Sequence, residues 1–198
     1  MDTLMREIAA TAARLVVEDG LDYGNAKRRA QKLLGASARA RLPDNQQLED
    51  EVRAYLNLFH ADTQPRELAA LRRLALDWME RLAEFRPHLV GAVWNGTATR
   101  HSDIHLDLFC DDPKSPEIAL LNLGIPYHAE AHQDARGAQT GVLSIAARCP
   151  ELEETIGIHL MIRDHDDVRG ALKPSGGGQP PRGDRQALLQ RLQLEATP

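Results

Sequence analysis

Over the first 85 positions apolar residues recur at helical steps; beyond them the period shortens toward two. Leu4, Ile8, Ala12, Leu15 and Val16 keep the three-and-four spacing of one buried helix face, and Asp19-Gly20 ends the run. A weaker helical pattern covers Tyr23 to Leu34 and stops at Gly35. Asp44 reads as an N-cap, and Gln47, three positions on, completes a capping box. Leu48, Val52, Tyr55, Leu56 and Phe59 then form one stripe. After Thr63 a fourth helix is predicted from Leu68, Leu71, Leu74, Trp78, Leu82 and Phe85.

Arg86-Pro87 marks the change of period. Leu89–Asn95 is a short apolar run closed by Asn95-Gly96 and predicts a buried strand entering a turn. Asp103–Cys110 alternates: Ile104, Leu106, Leu108 and Cys110 face one way, Asp103, His105, Asp107 and Phe109 the other. Ser115-Pro116 opens a helix to Leu123. Strands are predicted at Ile125–His132, Gly141–Arg148 and Ile156–Arg163. The Gly- and Pro-rich stretch Lys173–Gly183 reads as a flexible linker, and Leu188, Leu189, Leu192 and Leu194 mark a closing amphipathic helix. The fold class expected is therefore α+β. A helical region (1–62) precedes a small mixed sheet with flanking helices (63–170), and a linker with a helix (171–198) ends the chain.

Composition narrows the choices. With 42% hydrophobic and 27% charged residues the 198-residue chain can bury an ordinary core. No apolar run reaches the roughly 18–20 residues of a membrane span, and Met1–Ala10 lacks the order of a secretory signal, so no membrane role is expected. Cys110 and Cys149 are too few for a disulfide scaffold and lack metal spacing; they read as reduced, buried thiols of a cytoplasmic protein. Acidic residues concentrate in 86–170, with 13 Asp and Glu against 7 Lys and Arg, which would repel a nucleic-acid backbone but suits a divalent cation.

The chemistry concentrates in Val90–Asp112, VGAVWNGTATRHSDIHLDLFCDD. A glycine turn after a strand can present N–H groups to a phosphate, and acidic residues on the next strand can hold Mg²⁺ against it. Metal-assisted nucleotidyl transfer needs those parts together. Gly96-Thr97 and the strand start Ser102-Asp103-Ile104 resemble the turn and the second core strand of the nucleotidyltransferase (polymerase β-like) superfamily, over residues 63–165. Through DYGNAKRRAQKLLG and LPDN the whole chain is also similar to small proteobacterial proteins placed in that class. The resemblance implies an NTP substrate held by Gly96, Thr97 and Ser102, catalysis by Asp103 and Asp107, and a divalent metal at Asp103, His105, Asp107 and His159. Two departures stand out: His105 occupies the second acidic position and His159 the third. Imidazole is a poor Mg²⁺ ligand but suits Zn²⁺ or Mn²⁺. The expectation is thus an active enzyme using Mg²⁺, Mn²⁺ or Zn²⁺, or a degenerate nucleotide- or RNA-binding module on the same fold. An interaction domain is the third reading.

Other patterns weigh less. His128, Glu130 and His132 share one strand face, as a metal site or as a solvated polar row. Lys27, Arg28, Arg29 and Lys32, with Arg39 and Arg41 beyond, form a basic patch that is either a solvated helix face or a contact for an RNA or protein acceptor. Cys110 shares the apolar face of its strand, which argues against a nucleophile.

Overall fold

A computed structural model describes residues 3–133, 139–167 and 181–195. The chain divides into two compact units, Met1–Glu67 with Thr97–His101, and Leu68–Gly96 with Ser102–Pro198.

The first unit is helical. Helices α1 (Thr3–Asp19), α2 (Tyr23–Leu33) and α3 (Asn45–Phe59) are followed by the start of α4 (Gln64–Arg81). The apolar stripes meet in a core of Ile8, Ala12, Leu15, Val17, Ala26, Ala30, Leu48, Val52 and Leu56. Asp22 caps α2 through the Asn25 N–H at 2.9 Å. Asp44 and Gln47 form the expected reciprocal capping box on α3. These caps satisfy N–H groups that the first helical turn leaves without partners. Residues 97–101 are tied in by the Gln64 amide donating to Ala98 O (2.9 Å) and by the Arg100 N–H donating to Glu67 (3.0 Å).

The second unit is α+β and holds a six-stranded mixed sheet in the order β3-β4-β5-β2-β1-β6. The strands are β1 (His88–Val90), β2 (Ile104–Cys110), β3 (His128–Gln133), β4 (Gln139–Cys149), β5 (Glu154–Asp164) and β6 (Arg182–Gly183). β2 and β5 run parallel; every other pair is antiparallel. Helices α5 (Gly91–Asn95), α6 (Ser115–Asn122) and α7 (Arg185–Glu195) complete it. Register places Leu89, Leu106, Leu160 and Leu143 in one row across four strands. That row and the flanking Ile104, Leu108, Ile145, Ile156 and Ile158 make the apolar face, all buried.

Two expectations change. The predicted strand Leu89–Asn95 is a strand only to Val90. Gly91 takes φ +71°, a left-handed conformation incompatible with a continuing strand, and the chain turns into α5. The C-terminal carbonyls of this short helix, orphaned by geometry, are met by guanidinium groups. Buried Arg72 donates to Val93 O (3.0 Å) and Trp94 O (3.1 Å), and Arg191 donates to Trp94 O at 2.6 Å. The other change concerns the linker. Its end, Arg182–Gly183, is β6 paired with β1, because Trp94 packs on Gly183 where a Cβ would overlap its ring. The rest of the predicted linker lies outside the described residues.

Candidate functional site

The face of the sheet opposite the apolar row carries the polar residues of β2. Register aligns Val90, His105, His159 and Ser144 across β1, β2, β5 and β4, with His128 of β3 at the end of the row. Beside it runs the row of His88, Asp107, Met161 and Val142.

Asp103 precedes β2 and is half exposed at 50%. One carboxylate oxygen accepts from the Gly157 N–H at 3.1 Å and the other faces His159 Nε2 at 3.2 Å. A Cβ at Gly157 would lie 2.6 Å from Asp103 Oδ1, so any larger residue there would push the carboxylate aside. The hydrogen bond from His159 holds the Asp103 carboxyl below its usual range, against the opposing effect of burial. His159 Nδ1 meets Ser144 Oγ at 2.9 Å. The His105 ring stacks on His159 at 4.9 Å between centroids. Burial lowers the His105 pKa, and the neighbouring His159 lowers it further.

Asp107 has a different fate. Its side chain is 3% exposed and lies between two guanidinium groups, Arg163 Nε at 3.1 Å and Arg182 Nη1 at 2.7 Å. Arg182 also lies over the Phe109 ring, which meets His88 edge-on at 5.2 Å. Asp107 is thus neutralised inside the fold, and its oxygens are engaged by arginines on β5 and β6.

The remaining predicted site residues separate. Gly96 is the left-handed C-cap of α5, its N–H donating to Ala92 O at 2.9 Å, so the turn directly following the first strand is Gly91-Ala92, which has no hydroxyl. Thr97 belongs to the helical unit, where its buried hydroxyl faces the Tyr23 phenol without a well-formed hydrogen bond. Ser102 is half-buried just ahead of Asp103. Asp103, His105 and His159 are brought together; Asp107 is drawn away from them into its arginine pair. Among the described residues, no group of three His, Cys, Asp or Glu is arranged to hold a metal ion. The residues brought together do not fit a two-Mg²⁺ centre: beside Asp103, itself held by Gly157 and His159, stand the imidazoles of His105 and His159, and Asp107 is taken up by its arginines.

Three secondary patterns resolve locally. His128 and Glu130 pair with each other at 3.3 Å on an exposed strand. In the basic patch, Lys27 donates to Pro43 O and Asn45, Arg28 to Asn25, and Arg29 faces Asp19. Cys149 is buried and Cys110 partly so; burial, with Asp112, Asp111 and Asp164 nearby, pushes the Cys110 thiol up, away from nucleophilic thiolate.

Reasoning along the chain missed Ser144, Gly157, Arg163 and Arg182, all brought to β2 by strand pairing. It also missed an open cavity of about 450 Å³ lined by Trp94, Arg182, Asp184, Gln190 and Arg191, where the Arg191 guanidinium stacks on Trp94 at 3.4 Å.

No family model matches the chain, and no curated protein matches it. A crystal structure of the Cid1 poly(U) polymerase with MgGTP bound is similar over 52% of this chain, at 16% identity and a TM-score of 0.33. The chain spans 33% of that protein's length.

Proposed function

We propose that the chain is a nucleotidyltransferase-like, nucleotide-binding module that does not perform two-metal nucleotidyl transfer. The observation that carries this reading is the contrast on β2. The motif's first carboxylate, Asp103, stands at the strand start as the resemblance implies, while the next same-face carboxylate, Asp107, is buried between Arg163 and Arg182. Two-metal transfer needs at least two carboxylates converging on the cations. Support for the nucleotide part comes from the strand–glycine–helix–strand frame of β1, α5 and β2, and from the Arg182 and Arg191 guanidinium groups lining one cavity, a lining that suits phosphate oxygens.

Thermal denaturation with ATP, CTP, GTP or UTP, each with and without Mg²⁺, tests the reading. A rise in Tm with at least one NTP, of equal size with and without the cation, is expected. No shift with any of the four overturns nucleotide binding. A shift that strictly requires the cation overturns its independence from metal.

A further inference from the structure

Ser144 on β4, His159 on β5 and Asp103 just ahead of β2 have side chains that form one continuous line. A carboxylate only accepts, so the contact with Asp103 places the proton of the neutral His159 ring on Nε2. Nδ1 then keeps its lone pair and takes the Ser144 hydroxyl as donor at 2.9 Å. The carboxylate is itself anchored by the Gly157 N–H, in a position that a Cβ at Gly157 would disturb. His105 covers one face of the His159 ring and limits its rotation. A hydroxyl, an imidazole with a free lone pair toward it, and a carboxylate that fixes the imidazole's tautomer are the parts of an activated serine, whatever fold presents them. All three are reachable: Ser144 is half-buried, and His159 and Asp103 are 29% and 50% exposed.

We propose that Ser144 is a nucleophile for acyl transfer from small carboxylic esters, with His159 as its general base and Asp103 and Gly157 as positioning residues. Ser144 Oγ bonds to the acyl carbon while its proton passes to His159 Nδ1. The ester C–O bond breaks and that proton leaves on the departing alcohol. A water then attacks the acyl carbon and gives a proton to Nδ1, which returns it to Ser144 Oγ as the carboxylic acid departs. Ester and water become acid and alcohol, with no oxidant or metal in the balance. The inference goes beyond the nucleotide reading and does not rest on it.

The test is covalent labelling of the full chain with a fluorophosphonate, followed by peptide mapping, alongside hydrolysis of p-nitrophenyl acetate. One adduct on Ser144 is expected, absent in Ser144→Ala, together with a fall in kcat/KM of about a hundredfold or more in that variant, the lower range for loss of base-assisted attack. Asp103→Asn, which keeps the side chain's size, and Gly157→Ala, which displaces the carboxylate, should each slow labelling at least about tenfold with the adduct still on Ser144. The Asp103→Asn loss should fall on kcat and leave KM in place, a split that a merely structural aspartate does not produce. Absence of an adduct on Ser144 in the folded wild-type chain overturns the proposal, as does an Asp103→Asn labelling rate equal to wild type. Should Gly157→Ala fail to fold, Asp103→Asn alone decides. NTP-dependent Tm shifts report on the nucleotide reading separately, so either can fail without the other.

Discussion

Asp103, just ahead of β2, and Asp107, within it, lie four positions apart, yet the fold uses them oppositely. Asp107 is 3% exposed and gripped by two arginines, whereas Asp103 is half exposed and held by one N–H and one imidazole. A buried charge must be compensated in full, because desolvation is costly and cannot be relieved by water. A partly solvated charge tolerates looser partners and keeps some capacity for chemistry. The contrast therefore separates a carboxylate that holds β2, β5 and β6 together from one available to a ligand or to a reacting histidine.

Substitutions should sharpen that division. Asp107→Ala leaves Arg163 and Arg182 without their shared counter-charge, and a loss of about 3 kcal/mol in urea unfolding is expected, toward the lower end for breaking a buried pair because the arginines are partly solvated. Gly183→Ala drives a methyl into the Trp94 ring and should cost about 2 kcal/mol, with a shift in tryptophan fluorescence from the repacked α5. By contrast, Asp103→Asn should change unfolding stability by less than about 1 kcal/mol, since it breaks a solvent-screened pair. If Asp103→Asn proves as damaging as Asp107→Ala, the two carboxylates are equivalent and the contrast fails.

The smallest effect is in pH. His105 is held neutral in the fold by burial, with the neighbouring His159 adding to the shift, so its folded pKa lies below 6.5. As pH falls below about 6.5 the unfolded chain takes up the proton first, and this contribution to stability is lost progressively toward the lowered folded value. The melting temperature should decline over that interval in wild type, and His105→Gln should flatten the decline.

How much of this was legible in the chain depends on how local each feature is. The four N-terminal helices and the Asp44–Gln47 box follow from residues within a turn or two of each other, and the structure has them close to where the spacing puts them, the fourth ending at Arg81 with Ala83–Phe85 as a 3-10 turn. The alternation of β2 likewise sorted Ile104, Leu106 and Leu108 from Asp103, His105 and Asp107. The run after Leu89 misled because apolar residues fit a buried strand or a short buried helix equally, and the decision rests on the backbone at Gly91 and on carbonyl partners, Arg72 and Arg191, far along the chain. The neutralisation of Asp107 and the line from Asp103 to Ser144 were invisible for the same reason. Arg163, Arg182, Gly157 and Ser144 reach β2 through strand pairing, and no local periodicity encodes which strands will be neighbours.

Incubation with radiolabelled NTPs and Mg²⁺ or Mn²⁺ tests most directly whether this sheet face assembles a two-metal centre. No label is expected on RNA, on protein or on the chain itself, from wild type and Asp103→Ala alike. Metal-dependent transfer by the wild type that disappears in Asp103→Ala would contradict it.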